Sequence, residues 1–147
     1  MTDAPFRHFL ERSLVTLRSE LPHGYALVAA RLGRRSVDIG VDGEALAIHG
    51  DGATLRVDGV SGVASADAGG AMGTMAEILD GTLPLNDAIL SGRIHLRGKL
   101  DDLAAFFEAL QTYFGAAVRC PSFAGLLDDY LAVAEPRAAA PHLPRRP

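Results

Sequence analysis

Residues 86–103 read NDAILSGRIHLRGKLDDL, and this stretch carries the most informative pattern in the chain. In its centre, Ile94 and Leu96 alternate with Arg and His side chains, which is the period of two expected of a strand with one apolar face. Gly98 ends that strand. The carboxylates that follow suit a helix N-terminus, so a helix is predicted over residues 101–113.

Upstream of this stretch, the sequence predicts a run of short strands. The dipeptide Asp42-Gly43 is a strong signal for a hairpin turn, because a type I′ turn needs two residues with positive φ. Gly69 and Gly70 are interpreted as turn residues before the next helix. Apolar and polar residues alternate in most of the segments, which predicts an antiparallel meander with one face in water. The predicted strands are residues 25–32, 36–41, 46–48, 54–58 and 63–67.

Helices are predicted on both sides of these strands. Residues 5–21 place Phe and Leu at three- and four-residue spacing, which is typical of an amphipathic helix. Residues 71–79, 86–90 and 121–133 are the other helical segments. The prediction is one α+β domain over residues 1–134, with a mostly antiparallel five-stranded sheet covered on one face by helices. Residues 135–147 are predicted to be a disordered tail.

Composition restricts the classes of function. The chain has 147 residues, and its formal net charge of −4 argues against binding to nucleic acid or to an anionic membrane. Cys120 is the only cysteine, so no intrachain disulfide and no multi-cysteine metal site is expected. No apolar stretch reaches the length of a membrane span, and no signal peptide is recognised, so the cytoplasm is the expected compartment. The abundance of Ala, Gly and Arg is typical of a GC-rich bacterial gene.

A search for reaction chemistry finds no standard catalytic motif, and no catalytic residue, metal or cofactor is predicted. The five histidines lack metal-ligand spacing, and surface positions are the simpler interpretation of His49 and His95. A site shared by these two residues would require neighbouring strands. Cys120 precedes a helix start, where a thiol pKa can fall, but a buried structural cysteine is the favoured interpretation.

The order of elements around residues 86–103 resembles the sterol carrier protein type 2 family of lipid-transfer domains. In that family an alanine, a glycine, a basic residue and alternating apolar residues precede a closing glycine. The matching positions here are Ala88, Gly92, Arg93, Ile94, Leu96 and Gly98.

This resemblance implies an apolar tunnel between the sheet and its helices, in which each buried methylene contributes about 0.8 kcal/mol to ligand binding. Methionine side chains adapt well to the irregular walls of such a tunnel. Any one of the candidate residues is otherwise an ordinary core side chain. The candidate ligand-binding residues are Met72, Met75, Leu79, Leu83, Ile89, Leu90, Phe106, Phe107 and Leu110.

The function implied by the resemblance is binding, and transfer, of a fatty acyl, sterol, isoprenoid or polyketide-like molecule. One alternative is a cyclase- or isomerase-like enzyme that holds a hydrophobic substrate and uses His95, Asp67 or Tyr113 to move a proton. Another is an accessory protein of a lipid or quinone biosynthetic complex, with a protein partner or a homodimer. Whether Arg93, His95 and Arg97 meet a ligand headgroup or only water is left open, as is whether the last helix covers the pocket or forms a partner surface.

Overall fold

The computed structural model of the protein describes residues 4–60 and 64–142. The helices and strands follow the chain in the order α1 (Pro5–Glu20), α2 (Pro22–Leu32), β1 (Ser36–Val41), β2 (Glu44–Gly50), β3 (Leu55–Asp58), β4 (Ala66–Gly70), α3 (Met72–Leu79), α4 (Leu85–Leu90), β5 (Ile94–Gly98), α5 (Leu100–Ala117) and α6 (Phe123–His142). The predicted α+β class and five-stranded sheet are confirmed.

The five strands form one mixed sheet in the order β3-β2-β1-β4-β5. Three of its four pairings are antiparallel, but β1 and β4 are parallel, with Val37 opposite Ala66. The predicted, mostly antiparallel sheet is therefore confirmed, and the parallel pairing of β1 with β4 is the one departure from a meander of consecutive neighbouring strands. Short turns join β1 to β2 and β2 to β3, which are antiparallel neighbours. After β3, at the edge of the sheet, the chain returns to the other side of β1 and forms β4 there.

The segment 25–32 was predicted as a strand, and this prediction is wrong, because the residues lie in α2. Pro22 occupies the first turn of the helix, where its missing N–H is tolerated, and Gly33 ends it with a φ of 68°. The buried side chains follow helical spacing rather than alternation, and they are Tyr25, Val28, Ala29 and Leu32.

The fourth strand also differs from its prediction. β4 covers Ala66–Gly70, so Gly69 and Gly70 are strand residues rather than turn residues. A Cβ atom at Gly70 would lie 2.9 Å from the carbonyl oxygen of Arg93, which explains why a residue without a side chain stands there. The start of the predicted segment, at Val63, lies outside the described residues.

Other local predictions are confirmed. Asp42 and Gly43 have φ angles of 52° and 86° in the turn between β1 and β2, as a type I′ hairpin requires. The predicted helices correspond to α1, α3, α4, α5 and α6, and the strand that follows α4 is β5.

The core lies between one face of the sheet and the helices. Val37 and Leu46 on that face are buried, together with apolar side chains of α1, α2, α5 and α6. Asp67, His95 and Arg97 alternate onto the opposite face and are largely accessible to solvent. The predicted one-sided covering of the sheet is therefore confirmed.

Candidate apolar binding site

An apolar cavity of about 60 Å³ lies between α1, α2, α5 and the β2–β3 side of the sheet. Tyr113 is the one lining side chain with a polar atom. The lining residues are Leu10, Leu14, Val28, Leu32, Ile48, Leu55, Phe106, Ala109 and Tyr113.

A solvent-open groove of about 320 Å³ adjoins this cavity, and Leu14 and Leu55 line both. The groove runs between α1 and the edge strand β3, and its rim carries charged side chains. We call it the α1–β3 groove. Its lining residues are Glu11, Leu14, Val15, Arg18, Tyr25, Leu55, Arg56 and Val57.

The hydroxyl groups at the cavity wall are bonded to each other. Ser13 Oγ donates to the carbonyl of Leu10 at 2.8 Å, so the Tyr113 hydroxyl donates to Ser13 across 2.8 Å. Burial raises the pKa of Tyr113 far above its usual value, and the phenol stays neutral in the folded protein. The wall therefore presents no charge to a ligand.

The charged rim of the groove is held in place by contacts with β3 and α2. Tyr25 is buried, and its hydroxyl accepts a hydrogen bond of 2.9 Å from the backbone N–H of Leu55. The guanidinium carbon of Arg18 lies 5.2 Å from the centre of the Tyr25 ring, within the range of a cation–π contact. Arg56 is 3.3 Å from Asp58, and Glu11 is 3.4 Å from Arg7.

The nine residues predicted to bind ligand are divided among different environments. Met72 and Phe106 are buried, whereas Leu90 is 85% exposed. Met75, Leu79 and Leu110 are half-buried and pack against the core. Leu83, Ile89 and Phe107 are also half-buried. Phe106 is the predicted residue that lines the cavity described above.

The remaining cavity residues were missed for two reasons. Leu10 and Leu14 belong to the apolar stripe predicted for α1, and the stripe alone does not distinguish a cavity wall from core. The strand predicted over residues 25–32 contains Val28 and Leu32, so it does not predict the face that α2 turns toward α5. The spacing of three and four residues between Tyr25 and Leu32 was the available signal.

The two strand histidines do not share a site. β1 and β4 lie between the strands that carry them. His49 Nδ1 is hydrogen-bonded to Ser36 Oγ at 2.6 Å, and His95 Nε2 lies 3.8 Å from an oxygen of Asp67. Asp67 also meets the guanidinium of Arg97, at 3.3 Å. His95 and Asp67, considered as proton carriers, thus lie on the sheet face opposite the cavity.

Arg93 was considered as a headgroup contact, and its guanidinium is already bound. It meets Glu77 at 2.7 Å and donates to the Thr74 hydroxyl at 3.3 Å. The paired carboxylate raises the pKa of Arg93, and the guanidinium holds the pKa of Glu77 below its usual value. This pair ties α3 to the start of β5.

A second cavity, of about 230 Å³, is lined by residues of α1 and α6. Phe9 and Tyr130 form part of its wall, and His8, Arg12 and Asp129 bring polar groups to it. Tyr130 also donates a hydrogen bond of 2.7 Å to Asp42, which ties α6 to the β1–β2 turn.

Cys120 is buried, and its Sγ donates to Glu20 Oε1 at 3.1 Å. Burial and the neighbouring carboxylate raise the pKa of the thiol, so the predicted structural role is favoured over a reactive one.

In the described part of the chain, no helix is long and apolar enough to cross a membrane. Within residues 4–60 and 64–142, no group of three or more His, Cys, Asp or Glu side chains is placed to hold a metal ion.

Comparison with known proteins gives matches at the level of structure. No family model matches the sequence, and no curated protein matches it significantly. The sterol carrier protein domain 2 of Helicoverpa armigera aligns with 78% of this chain over 94% of its own, with a TM-score of 0.56 and 12% identity. Sterol carrier protein 2 like 2 of Aedes aegypti aligns with 71% of this chain over 94% of its own, with a TM-score of 0.50 and 21% identity.

A third match is part of a larger enzyme. The inverting sec-alkylsulfatase Pisa1 from Pseudomonas aligns with 63% of this chain, with a TM-score of 0.43 and 19% identity. The chain spans only 14% of that enzyme's length. With its mixed five-stranded sheet and one-sided helical layer, the chain has the fold of sterol carrier protein type 2 domains.

Proposed function

We propose that this chain binds an apolar small molecule, of fatty acyl, sterol, isoprenoid or polyketide-like type, and carries it between donors and acceptors. The observation that carries the proposal is the cavity between α1, α2 and α5, whose wall is apolar apart from one internally bonded phenol. Apolar burial without specific polar contacts suits a broad choice of ligand. The names of the structural relatives, which are sterol carrier proteins, support the same class.

The α1–β3 groove supplies the route by which a ligand reaches this cavity. A volume of about 60 Å³ is smaller than the engineered cavities of about 150 Å³ that hold benzene, so a chain-like ligand needs more space than the cavity alone provides. Displacement of Leu14 and Leu55 would join the cavity to the groove, since both residues line both spaces. A ligand would then extend from the interior of the helical layer to the solvent-open rim.

The nine residues predicted from the sequence remain a second proposed location for the ligand. Of these nine residues, Phe106 also lines the cavity described above. Met75 and Leu79 lie on α3 and do not line that cavity. Two variants separate the locations. Ala109→Leu fills the cavity from α5, whereas Met75→Glu places a charge in the predicted set on α3.

The experiment is native mass spectrometry of freshly purified protein, with organic extraction of any bound molecule. Wild-type protein is expected to retain or take up a fatty acid or sterol, Ala109→Leu to lose most of this binding, and Met75→Glu to keep it. Circular dichroism verifies that both variants fold. Loss of ligand binding in Met75→Glu alone would indicate that the ligand lies among the predicted residues around α3. A wild-type protein that neither retains nor takes up any such molecule would contradict the proposed function.

A further inference from the structure

The sheet has two edge strands, β3 and β5, and their outer backbone groups have different surroundings. On β3, the N–H of Leu55 donates a hydrogen bond of 2.9 Å to the Tyr25 hydroxyl. The Arg7 guanidinium donates to the Val57 carbonyl of the same strand at 3.5 Å. On β5, the hydrogen bonds of the described residues include none from a side chain to the backbone of Ile94–Gly98, and β4 is the one strand neighbour. β5 therefore keeps a row of N–H and C=O groups that can pair with a further strand.

The side chains along this edge are basic. Residues 93–99 read RIHLRGK and contain no acid, whereas the whole chain has a net charge of −4. His95 and Arg97 lie on the open face of the sheet, opposite the helices, with side chains 57% and 78% exposed. Arg97 meets Asp67 of β4 through Nε alone, so the terminal amino groups of its guanidinium stay available. Lys99 is exposed and, in the described part of the chain, has no carboxylate within 4.0 Å.

Two leucines add apolar surface near the ends of β5. Leu90, at the end of α4, is 85% exposed, and Leu100, at the start of α5, is 81% exposed. In the part of the chain that the structure describes, no other large apolar side chain is as exposed. Ile94 and Leu96, both half-buried, lie on the face of β5 opposite its basic side chains. The edge thus offers backbone bonds, a basic face and apolar surface together, which is the combination that strand addition uses.

We propose that β5 binds an extended segment of a partner protein that alternates acidic and apolar residues, and that this segment pairs with β5 as a sixth strand. Its carboxylates would lie beside His95 and Arg97 on the open face, where opposite charges on neighbouring strands stabilise the pairing. Its apolar side chains would lie on the side of Ile94 and Leu96. The inference is independent of the proposed function, because no residue of β5 lines the apolar cavity.

The charge pattern favours a different protein over a second copy of this chain. If two β5 strands paired antiparallel about Leu96, Arg97 of one copy would lie opposite His95 of the other. Like charges directly opposite each other destabilise a sheet. The other edge of a second copy is no better, because Tyr25 and Arg7 already bond to the backbone of β3. An acidic segment meets neither obstacle.

The test is an NMR titration of ¹⁵N-labelled protein with the peptide acetyl-Glu-Val-Glu-Val-Glu-amide at low salt. The backbone amides of β5 are expected to shift, and their hydrogen exchange to slow. Arg97→Glu should weaken binding about threefold or more, because it places a like charge beside the peptide carboxylates. Arg56→Glu is the matched control, since it reverses an exposed charge on the other edge strand and should bind as the wild type.

Two further peptides, N-methylated at one or the other set of alternate amides, separate strand pairing from charge attraction. A paired strand turns alternate N–H groups toward its neighbour, so one methylated peptide should lose binding and the other keep it. Circular dichroism of Arg97→Glu and Arg56→Glu verifies that both fold.

Several results would overturn the proposal. Equal binding of the two methylated peptides, or an equal loss in Arg97→Glu and Arg56→Glu, would leave only a general charge effect. No shift of the β5 amides at about 1 mM peptide would exclude this partner class. Binding to vesicles of phosphatidylcholine and phosphatidylglycerol, lost in Arg97→Glu and without any response to peptide, would assign the basic edge to a membrane surface. A dimer in sedimentation experiments with protected β5 amides would assign it to a second copy.

Discussion

Ser13 and Tyr113, one hundred positions apart in the chain, form a hydrogen bond of 2.8 Å inside the protein. Both side chains are buried, and the bond joins α1 to α5 at the wall of the apolar cavity. The Ser13 hydroxyl also donates to the carbonyl of Leu10. A polar contact of this kind fixes how the two helices approach each other, while the cavity beside it stays uncharged.

The consequences of breaking this bond are unequal. Ser13→Ala removes the acceptor of a buried phenol, which we expect to lower the free energy of unfolding by about 1 to 3 kcal/mol. Tyr113→Phe leaves Ser13 bonded to Leu10, so a loss of about 1 kcal/mol is expected. Urea denaturation of both variants and of the double variant measures the coupling between them.

Ser19→Ala is the matched control for this pair, since Ser19 is exposed on the same helix. It should change the unfolding free energy by less than about 0.5 kcal/mol. Strictly additive losses in the double variant would argue against the hydrogen bond.

Gly98 is the last glycine of the sequence pattern that predicts the fold, and its backbone conformation and close neighbours explain why glycine stands there. Its φ is 148°, and a Cβ there would lie 2.9 Å from both the Ala66 Cβ and the Ser65 carbonyl oxygen. Gly98→Ala is therefore expected to lower the unfolding free energy by about 1 to 3 kcal/mol, measured by urea denaturation.

The matched control is Gly115→Ala, in the last turn of α5, where a Cβ would have open space around it. This substitution should stabilise the protein by about 0.5 to 1 kcal/mol, because alanine is the better helix former. A Gly98→Ala variant as stable as the wild type would show that the chain can relax at the end of β5.

Patterns of local origin were sufficient to predict much of the fold. The Asp42-Gly43 turn, the alternation in β1 and β5, and the apolar stripes of α1 and α5 each depend on neighbours in sequence. The parallel pairing of β1 with β4 has no such signal, because Ala66–Gly70 contains only small residues and one aspartate. Gly69 of β4 lies close to β1, since a Cβ there would be 3.0 Å from the Gly40 carbonyl oxygen, and side-chain periodicity does not reveal such a backbone approach.

The candidate site was harder to predict than the fold. Leu10 and Ala109 line the same cavity, but nearly a hundred residues separate them, and each alone is an ordinary core residue. The strand predicted over residues 25–32 is an error that leaves out Val28 and Leu32, because it does not place them on a helix that packs against α5. The cation over Tyr25 likewise depends on how α1 packs against α2, which periodicity within one helix does not reveal.

Glu44 caps a helix that is distant in the sequence. Its two carboxylate oxygens accept hydrogen bonds from the backbone N–H groups of Phe6, at 2.6 Å, and Arg7, at 3.2 Å. The residue before α1, Ala4, provides no side-chain cap, so Glu44 satisfies donors that the local sequence leaves open. Glu44→Ala is expected to lower the unfolding free energy by about 1 to 2 kcal/mol, measured by thermal or urea denaturation.

The control for this prediction is Glu108→Ala, which removes an exposed carboxylate 3.6 Å from Arg31. A surface pair of this kind contributes about 1 kcal/mol or less. Equal effects of Glu44→Ala and Glu108→Ala would mean that the cap adds nothing beyond a surface charge.

Glu20 joins the end of α1 to the segment between α5 and α6, and its ionisation links this contact to pH. Its carboxylate accepts hydrogen bonds from the Ser122 hydroxyl, from the Cys120 thiol at 3.1 Å and from the Ser122 N–H at 3.2 Å. The Ser122 hydroxyl is the largest of the causes that lower the pKa of Glu20. Because the folded state binds this proton less tightly than the unfolded state, the stabilisation is present above the unfolded pKa of about 4.5 and is lost as the pH falls through the lower folded value.

We therefore expect Glu20→Gln to melt below the wild type at pH 7, with the difference in Tm shrinking toward pH 3. Glu108→Gln is the control, and a Glu20→Gln difference that stays constant from pH 7 to pH 3 would contradict the assignment.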